Sequence, residues 1–216
     1  MGRSRASGAE AKSVDEDDEE VQKLRAAIDA TVVRSSVKVK WSDVAGLDVA
    51  KGILKDAVIM PTLFPQAFKG ARKPPKGILL YGPPGTGKSF LAKAVATEAT
   101  SVFFSVKASD LKSKWTGETE KHIKTLFERA REAEKAVIFV DEVDSLCSER
   151  SQGDSSGDSS SVQEFLAQMD GVGASNTGVL VLAATNLPWV IDAAMLRRFE
   201  KRIYTSRSRR RAPART

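Results

Sequence analysis

The run Gly82-Pro-Pro-Gly-Thr-Gly-Lys-Ser89 sets two glycines, a lysine and a hydroxyl at the spacing G-x-x-x-x-G-K-S. That spacing is suited to cradling a chain of phosphates. Gly85 and Gly87 lack a Cβ, so the backbone can curl and aim its N–H groups at an anion. Pro84 and Thr86 of the loop and Phe90 just after it are further candidate nucleotide-binding residues, Lys88 can reach the β- and γ-phosphates, and Ser89 can ligate Mg²⁺. A second constellation, Asp141-Glu142, ends the apolar run Val137-Ile-Phe-Val140. An Asp in that position helps to hold Mg²⁺, usually through water, and an adjacent Glu can orient and deprotonate an attacking water. Alone, the pair would read as two solvated acids opening a loop; beside a complete phosphate loop it reads as chemistry. Asp144 is either a further member of this group or the cap of the next turn.

Three further sites carry two readings each. Asn186 follows Ala-Ala-Thr and is either a turn residue before Pro188 or a polar group reaching a terminal phosphate or the lytic water. Arg197 and Arg198 either complement a helix dipole or supply guanidinium groups to a phosphoryl group bound by a neighbouring subunit. Trp115, between Lys114 and Thr116, either packs back on the core or grips a partner.

Positioning these residues requires strands that end at the loops. The apolar run Gly77–Tyr81 leads into the phosphate loop, and the Ala-rich periodic run Phe90–Ala99 leads out of it. Val102–Val106, Ala136–Val140 and Gly178–Ala184 read as buried strands, and Lys201–Tyr204 as the start of a fifth. Asp48–Met60, ended by Pro61, Gly117–Ala133, Val162–Met169 and Ile191–Leu196 read as helices, and Ser145–Asp158 as a turn passing into a mobile loop. Alternating strands and helices predict an α/β fold, a parallel doubly wound sheet with flanking helices. In such a sheet ligands bind at the carboxyl ends of the strands, where both motifs fall.

Composition narrows the class. The 216 residues are 41% hydrophobic and 29% charged, which fits one globular core. No apolar run approaches a membrane span or a secretory leader. A single cysteine, Cys147, excludes an intrachain disulfide, and a single histidine, His122, excludes a His-based triad or multi-His metal site. Residues 1–36 read as a disordered acidic leader and linker helix, with Val21, Leu24, Ile28 and Val32 at helical spacing. Residues 37–204 read as the catalytic-type domain and 205–216 as a basic disordered tail. The tail holds five of the arginines, and without them the net charge falls from +6 to +1. The basic balance therefore belongs to the tail, and no direct nucleic-acid binding is expected.

Taken in order, Trp41-Ser-Asp-Val-Ala-Gly-Leu47, the phosphate loop, Ser113-Lys-Trp-Thr-Gly-Glu118, Asp141-Glu142, Ala184-Thr-Asn186 and Arg197-Arg-Phe199 resemble the AAA ATPases. The resemblance covers roughly residues 37–204 and points to the branch holding katanin, spastin and the vacuolar-protein-sorting ATPases. It is strongest to the vacuolar-sorting members in Gly77–Ala99, Phe103–Val106, Asn186–Val190 and Phe199–Tyr204. It implies ATP and Mg²⁺ as cofactors and a P-loop NTPase fold. Asp43, Val44, Ala45 and Gly46 would line the adenine pocket, and Asn186 would sense the γ-phosphate. Arg197 and Arg198 would act in trans, which requires a head-to-tail ring, usually a hexamer. Lys114 and Trp115 would line its pore and draw in a protein substrate. For the vacuolar-sorting members that substrate is an ESCRT-III filament subunit, engaged on endosomal membranes by a cytoplasmic enzyme held there through its partners.

The sequence departs from the family pattern in three places. Thr116 stands where an apolar residue usually follows the pore Trp, and Ser159-Ser-Ser161 stands where a basic pair is usual. After Tyr204 the family continues into a helical lid, whereas Thr205–Thr216 has no apolar periodicity and reads as lacking one. The N-terminal module that binds ESCRT-III tails also reads as absent. These departures leave two alternatives to an active remodelling ATPase: a truncated, non-catalytic subunit that binds nucleotide or joins other rings, and a microtubule-severing relative.

Overall fold

The computed structural model describes residues 22, 25–26, 28–30, 39–68, 74–113, 119–133, 135–147, 156–172 and 178–206. Five strands form one sheet: β1 (Gly77–Tyr81), β2 (Val102–Lys107), β3 (Lys135–Asp141), β4 (Gly178–Thr185) and β5 (Lys201–Tyr204). Their spatial order is β2-β3-β4-β1-β5, and every pairing is parallel. Parallel neighbours need crossovers, and the intervening segments supply helices for both faces. These are α1 (Asp48–Leu54), α2 (Met60–Leu63), α3 (Lys88–Glu98), α4 (Ala108–Ser113), α5 (Thr119–Glu132), α6 (Asp144–Cys147), α7 (Ser156–Gly171) and α8 (Ala193–Arg198).

Strand alternation divides the core in two. Leu79, Ile138, Val181 and Ala183 face one side and meet Ile123, Leu126 and Phe127 of α5, Phe165 of α7 and Met195 of α8. Phe127 and Phe165 meet edge to face at 5.7 Å between centroids. Ile78, Leu80, Val137, Phe139, Leu182 and Ala184 face the other side and meet Leu54 and the α3 residues Leu91, Ala92 and Val95. Both faces of the central strands are dry, which is why the strands read as continuous apolar runs.

Several elements differ from the sequence reading. The helix from Asp48 does not stop at Pro61: α1 passes through a wider π-type turn, Lys55–Ile59, into α2. Pro61 follows that wider turn directly as the second residue of α2, and the helix runs on through it. The helix read from Val162 begins six residues earlier, at Ser156, against the weak helix propensity of the serines. Of the stretch Ser145–Asp158, read as a turn passing into a mobile loop, the turn is the short helix α6, residues 148–155 lie outside the described residues, and 156–158 belong to α7. Ile28, expected on the apolar face of the linker helix, is only 4% exposed and joins the core. Asp29 accepts from Arg129 on α5 at 2.7 and 2.8 Å. Among the described residues, no helix is long and apolar enough to cross a membrane.

Candidate active site

Parallel register brings Tyr81 of β1 level with Thr185 of β4 and Tyr204 of β5, and Val140 of β3 level with Ala183. The carboxyl ends of four neighbouring strands therefore open at one edge of the sheet. The loop after β1 holds Gly85 at φ 74° and Gly87 at φ 86°, the left-handed region where a side chain is strained. Gly87 hands the chain to α3, whose N-terminal dipole faces the loop. Pro84, Gly85 and Phe90 are exposed at this mouth, while Thr86 is buried, its hydroxyl 3.0 Å from the Pro83 carbonyl oxygen.

Lys88 is 7% exposed and folds inward over the loop. Its ammonium donates to the carbonyl oxygens of Gly82 and Pro83, each at 2.9 Å, and to Asn186 Oδ1 at 2.7 Å. Burial lowers its pKa, and the charges of Asp141 and Asp144 offset part of that effect. A phosphate chain would supply the anionic partner that these neutral acceptors provide only in part. The last contact spans 98 positions of sequence and joins the end of β4 to the phosphate loop. Asn186 therefore does more than turn the chain before Pro188: its side chain meets the phosphate loop.

Ser89, the second residue of α3, donates to Asp141 Oδ2 at 2.9 Å. A hydroxyl and a carboxylate at that separation are hard oxygen donors suited to one Mg²⁺ that keeps most of its water. Glu142 is exposed and has φ 54°, while its backbone N–H donates to Asp141 Oδ1 at 3.0 Å. A non-glycine residue in that region costs free energy, and such strain gathers at sites where a side chain must be aimed. Asp144, open between two roles in the sequence, begins α6 and accepts from the Thr185 hydroxyl at 2.6 Å. Thr185 Oγ1 in turn accepts from the Leu187 backbone N–H at 2.9 Å, so this pair shapes the chain on either side of Asn186.

The remaining predicted residues fall in three other segments, one of them outside the described set. Asp43 forms a short turn in which its carboxylate accepts from the Lys40 N–H and the Ser42 hydroxyl, at 2.9 and 3.2 Å. Val44 is buried with its carbonyl held by Lys51, Ala45 is exposed, and Gly46 turns the chain at φ 65°. Arg197 is exposed on the last turn of α8. Arg198 makes a two-point ion pair with Asp170 of α7, at 2.8 and 3.1 Å. Reaching a neighbouring subunit would require Arg198 to leave Asp170. Lys114 and Trp115, with Thr116, lie outside the described residues.

Residues 78–207 match the ATPase family associated with various cellular activities (AAA). The chain belongs to the AAA ATPase family. It is 57% identical over 204 residues to vacuolar protein sorting-associated protein 4 of Dictyostelium discoideum, covering 94% of this chain and 46% of that protein. It is 58% identical over 189 residues to vacuolar protein sorting-associated protein 4B of Mus musculus, covering 87% and 43%. Identity to the A-like 2 form of the katanin p60 ATPase-containing protein of Xenopus tropicalis is 49%, over 85% of this chain and 34% of that protein. This AAA chain thus spans less than half the length of the curated relatives it matches. Among solved structures, the FIGL-1 AAA domain in complex with ADP superposes with a TM-score of 0.76 at 43% identity, over 85% of this chain and 61% of that one. A katanin structure solved to explain its self-assembly gives 0.72 at 42%, over 84% and 58%. The expected fold, a P-loop α/β sheet flanked by helices, is the one observed.

Proposed function

We propose that this AAA chain binds ATP with Mg²⁺ and hydrolyses its terminal phosphoanhydride as part of an assembly that remodels other proteins. The observation that carries this reading is the meeting of Lys88, Ser89, Asp141 and Asn186 at adjoining strand ends through bonds of 2.7 and 2.9 Å. Ser89, with Asp141 directly or through water, would hold Mg²⁺, which when bound supplies positive charge against the β- and γ-phosphate oxygens. The loop amides and Lys88 orient the phosphates. Glu142, strained and solvent-facing, accepts a proton from water as it attacks. Asn186 exchanges its bond to Lys88 for one to the γ-phosphate or the attacking water. Asp43, Val44, Ala45 and Gly46 take the adenine end on the resemblance alone.

Arg197 is the arginine available to complete a neighbour's site, since Arg198 is engaged by Asp170. That sharing favours a head-to-tail ring, a reading the self-assembling katanin neighbour supports. Identity of 57–58% to vacuolar protein sorting-associated proteins, against 49% to a katanin relative, favours an ESCRT-III-type protein substrate at endosomal membranes over a microtubule. Lys114 and Trp115 would grip that substrate. The test compares ATP binding and phosphate release in the chain and in Glu142→Gln. We expect near-wild-type binding in the variant and a fall in turnover of roughly 10²–10⁴, the usual worth of a general base. Nucleotide binding without Glu142-dependent phosphate release would mark a non-catalytic nucleotide-binding protein instead.

A further inference from the structure

Thr205 follows β5 and is fully buried, although the residues after it are polar and basic. Its N–H donates to the Tyr81 carbonyl at 2.8 Å, carrying the β1–β5 ladder one residue beyond the strand. Its Oγ1 lies 2.9 Å from Thr86 Oγ1 and 3.2 Å from the Tyr81 carbonyl oxygen. Its own carbonyl presses on the start of the phosphate loop: a Cβ at Gly82 would sit 2.2 Å from it.

Two hydroxyl protons must serve three contacts. When Thr86 donates to Pro83 O, Thr205 donates to Thr86, and Tyr81 O keeps the Thr205 amide. Every acceptor then has a donor. In the reverse arrangement Pro83 O depends on Lys88 alone. A phosphate chain competes with the Pro83 carbonyl for the Lys88 ammonium, so a second donor to that carbonyl secures it when nucleotide arrives. A valine or isoleucine would fill a buried strand end as well as threonine does, so it is the hydroxyl that requires a role.

We propose that Thr205 is a positioning residue for the phosphate loop, its hydroxyl acting through Thr86 to hold the Pro83 carbonyl while Lys88 turns to phosphate. This rests on the ATP-site reading above. The test uses the full chain with Thr205→Val, which removes the hydroxyl at nearly constant volume, and Thr205→Ser, which keeps it. Amide exchange is followed in peptides covering Gly82–Ser89 and, as a control for the fold, in β3. A fluorescent N-methylanthraniloyl ATP reports binding. In Thr205→Val we expect loop exchange to rise by about threefold with β3 unchanged, and Kd to rise by about tenfold, the scale of one buried hydrogen bond. Thr205→Ser should restore both to within about twofold, since it keeps the donor.

Unchanged loop exchange in Thr205→Val overturns the proposal. So does a folded Thr205→Ser whose loop is unprotected, because packing by the methyl would then be the cause. If Thr205→Val also loosens β3, Thr205→Ser alone decides between these outcomes. Faster loop exchange in Thr205→Val, in a chain that binds no ATP analogue, would keep the positioning role and remove the ATP reading.

Discussion

At the scale of single residues, Lys88 is the most heavily constrained group of the site. Its three acceptors come from the loop and from the end of β4, and burial lowers its pKa. The folded chain thus releases this proton at a lower pH than the unfolded chain does. Between the depressed value and 10.5 the unfolded chain binds more protons, so Lys88 makes stability rise with pH across that window. Nucleotide affinity should fall across the same window, because the neutral amine cannot donate a charge-assisted bond to phosphate. Titrations with an ATP analogue from about pH 7 to about pH 10 should show this alkaline decline at a lower pH than for an ordinary lysine. Lys88→Met should lower affinity by roughly 10–100-fold near neutrality, as for a hydrogen bond to a charged group, and abolish the decline. An alkaline profile unchanged in Lys88→Met would assign the titration to another group. The residue types were legible in sequence, since Gly, Lys, Ser and the acidic pair were all singled out by spacing. Thr205 was not: one threonine opening a basic segment gives no signal until β5 pairs with β1 and carries it beneath the loop.

At the scale of elements, β1 is the strand on which the site depends, and its first residue is a packing requirement. A Cβ at Gly77 would lie 2.5 Å from the Arg198 carbonyl oxygen and 2.9 Å from Met169 Cε. The end of α8 therefore rests against bare backbone. Gly77→Ala should destabilise the chain by about 1–3 kcal/mol, the usual cost of forcing a methyl into packed backbone. Gly52, inside α1 with nothing within 4 Å, offers the contrast. Gly52→Ala should stabilise by about 0.5–1 kcal/mol, the propensity difference between the two residues in a helix. Urea midpoints of the two variants moving in the same direction would contradict this account. Strand positions were readable because buried parallel strands are continuous apolar runs. Helix ends were less so. Neither the π-type turn before α2 nor the serine-rich start of α7 is signalled by residue propensity.

At the scale of the whole molecule, Lys88, Ser89, Asp141 and Asn186 are joined within one chain, while Arg197 stands exposed on the last turn of α8. If copies complete one another, specific ATPase activity should rise with protein concentration. Arg197→Ala should lower the plateau by at least about 10²-fold while leaving nucleotide affinity near wild type, as for an arginine that acts only in the transition state. Activity per chain that stays constant on dilution would argue for a site sufficient by itself. By itself the sequence determined the class of chemistry and the sheet that carries it, because phosphate loops and buried strands are local patterns of residue type. Only the tertiary structure decided which distant groups meet. The register of four parallel strands brings Asn186 to Lys88, Asp141 to Ser89 and Thr205 to Thr86, and the meeting of α8 with α7 brings Arg198 to Asp170. Register is set by how whole strands and helices pack, and a reading confined to local spacing carries no information about it.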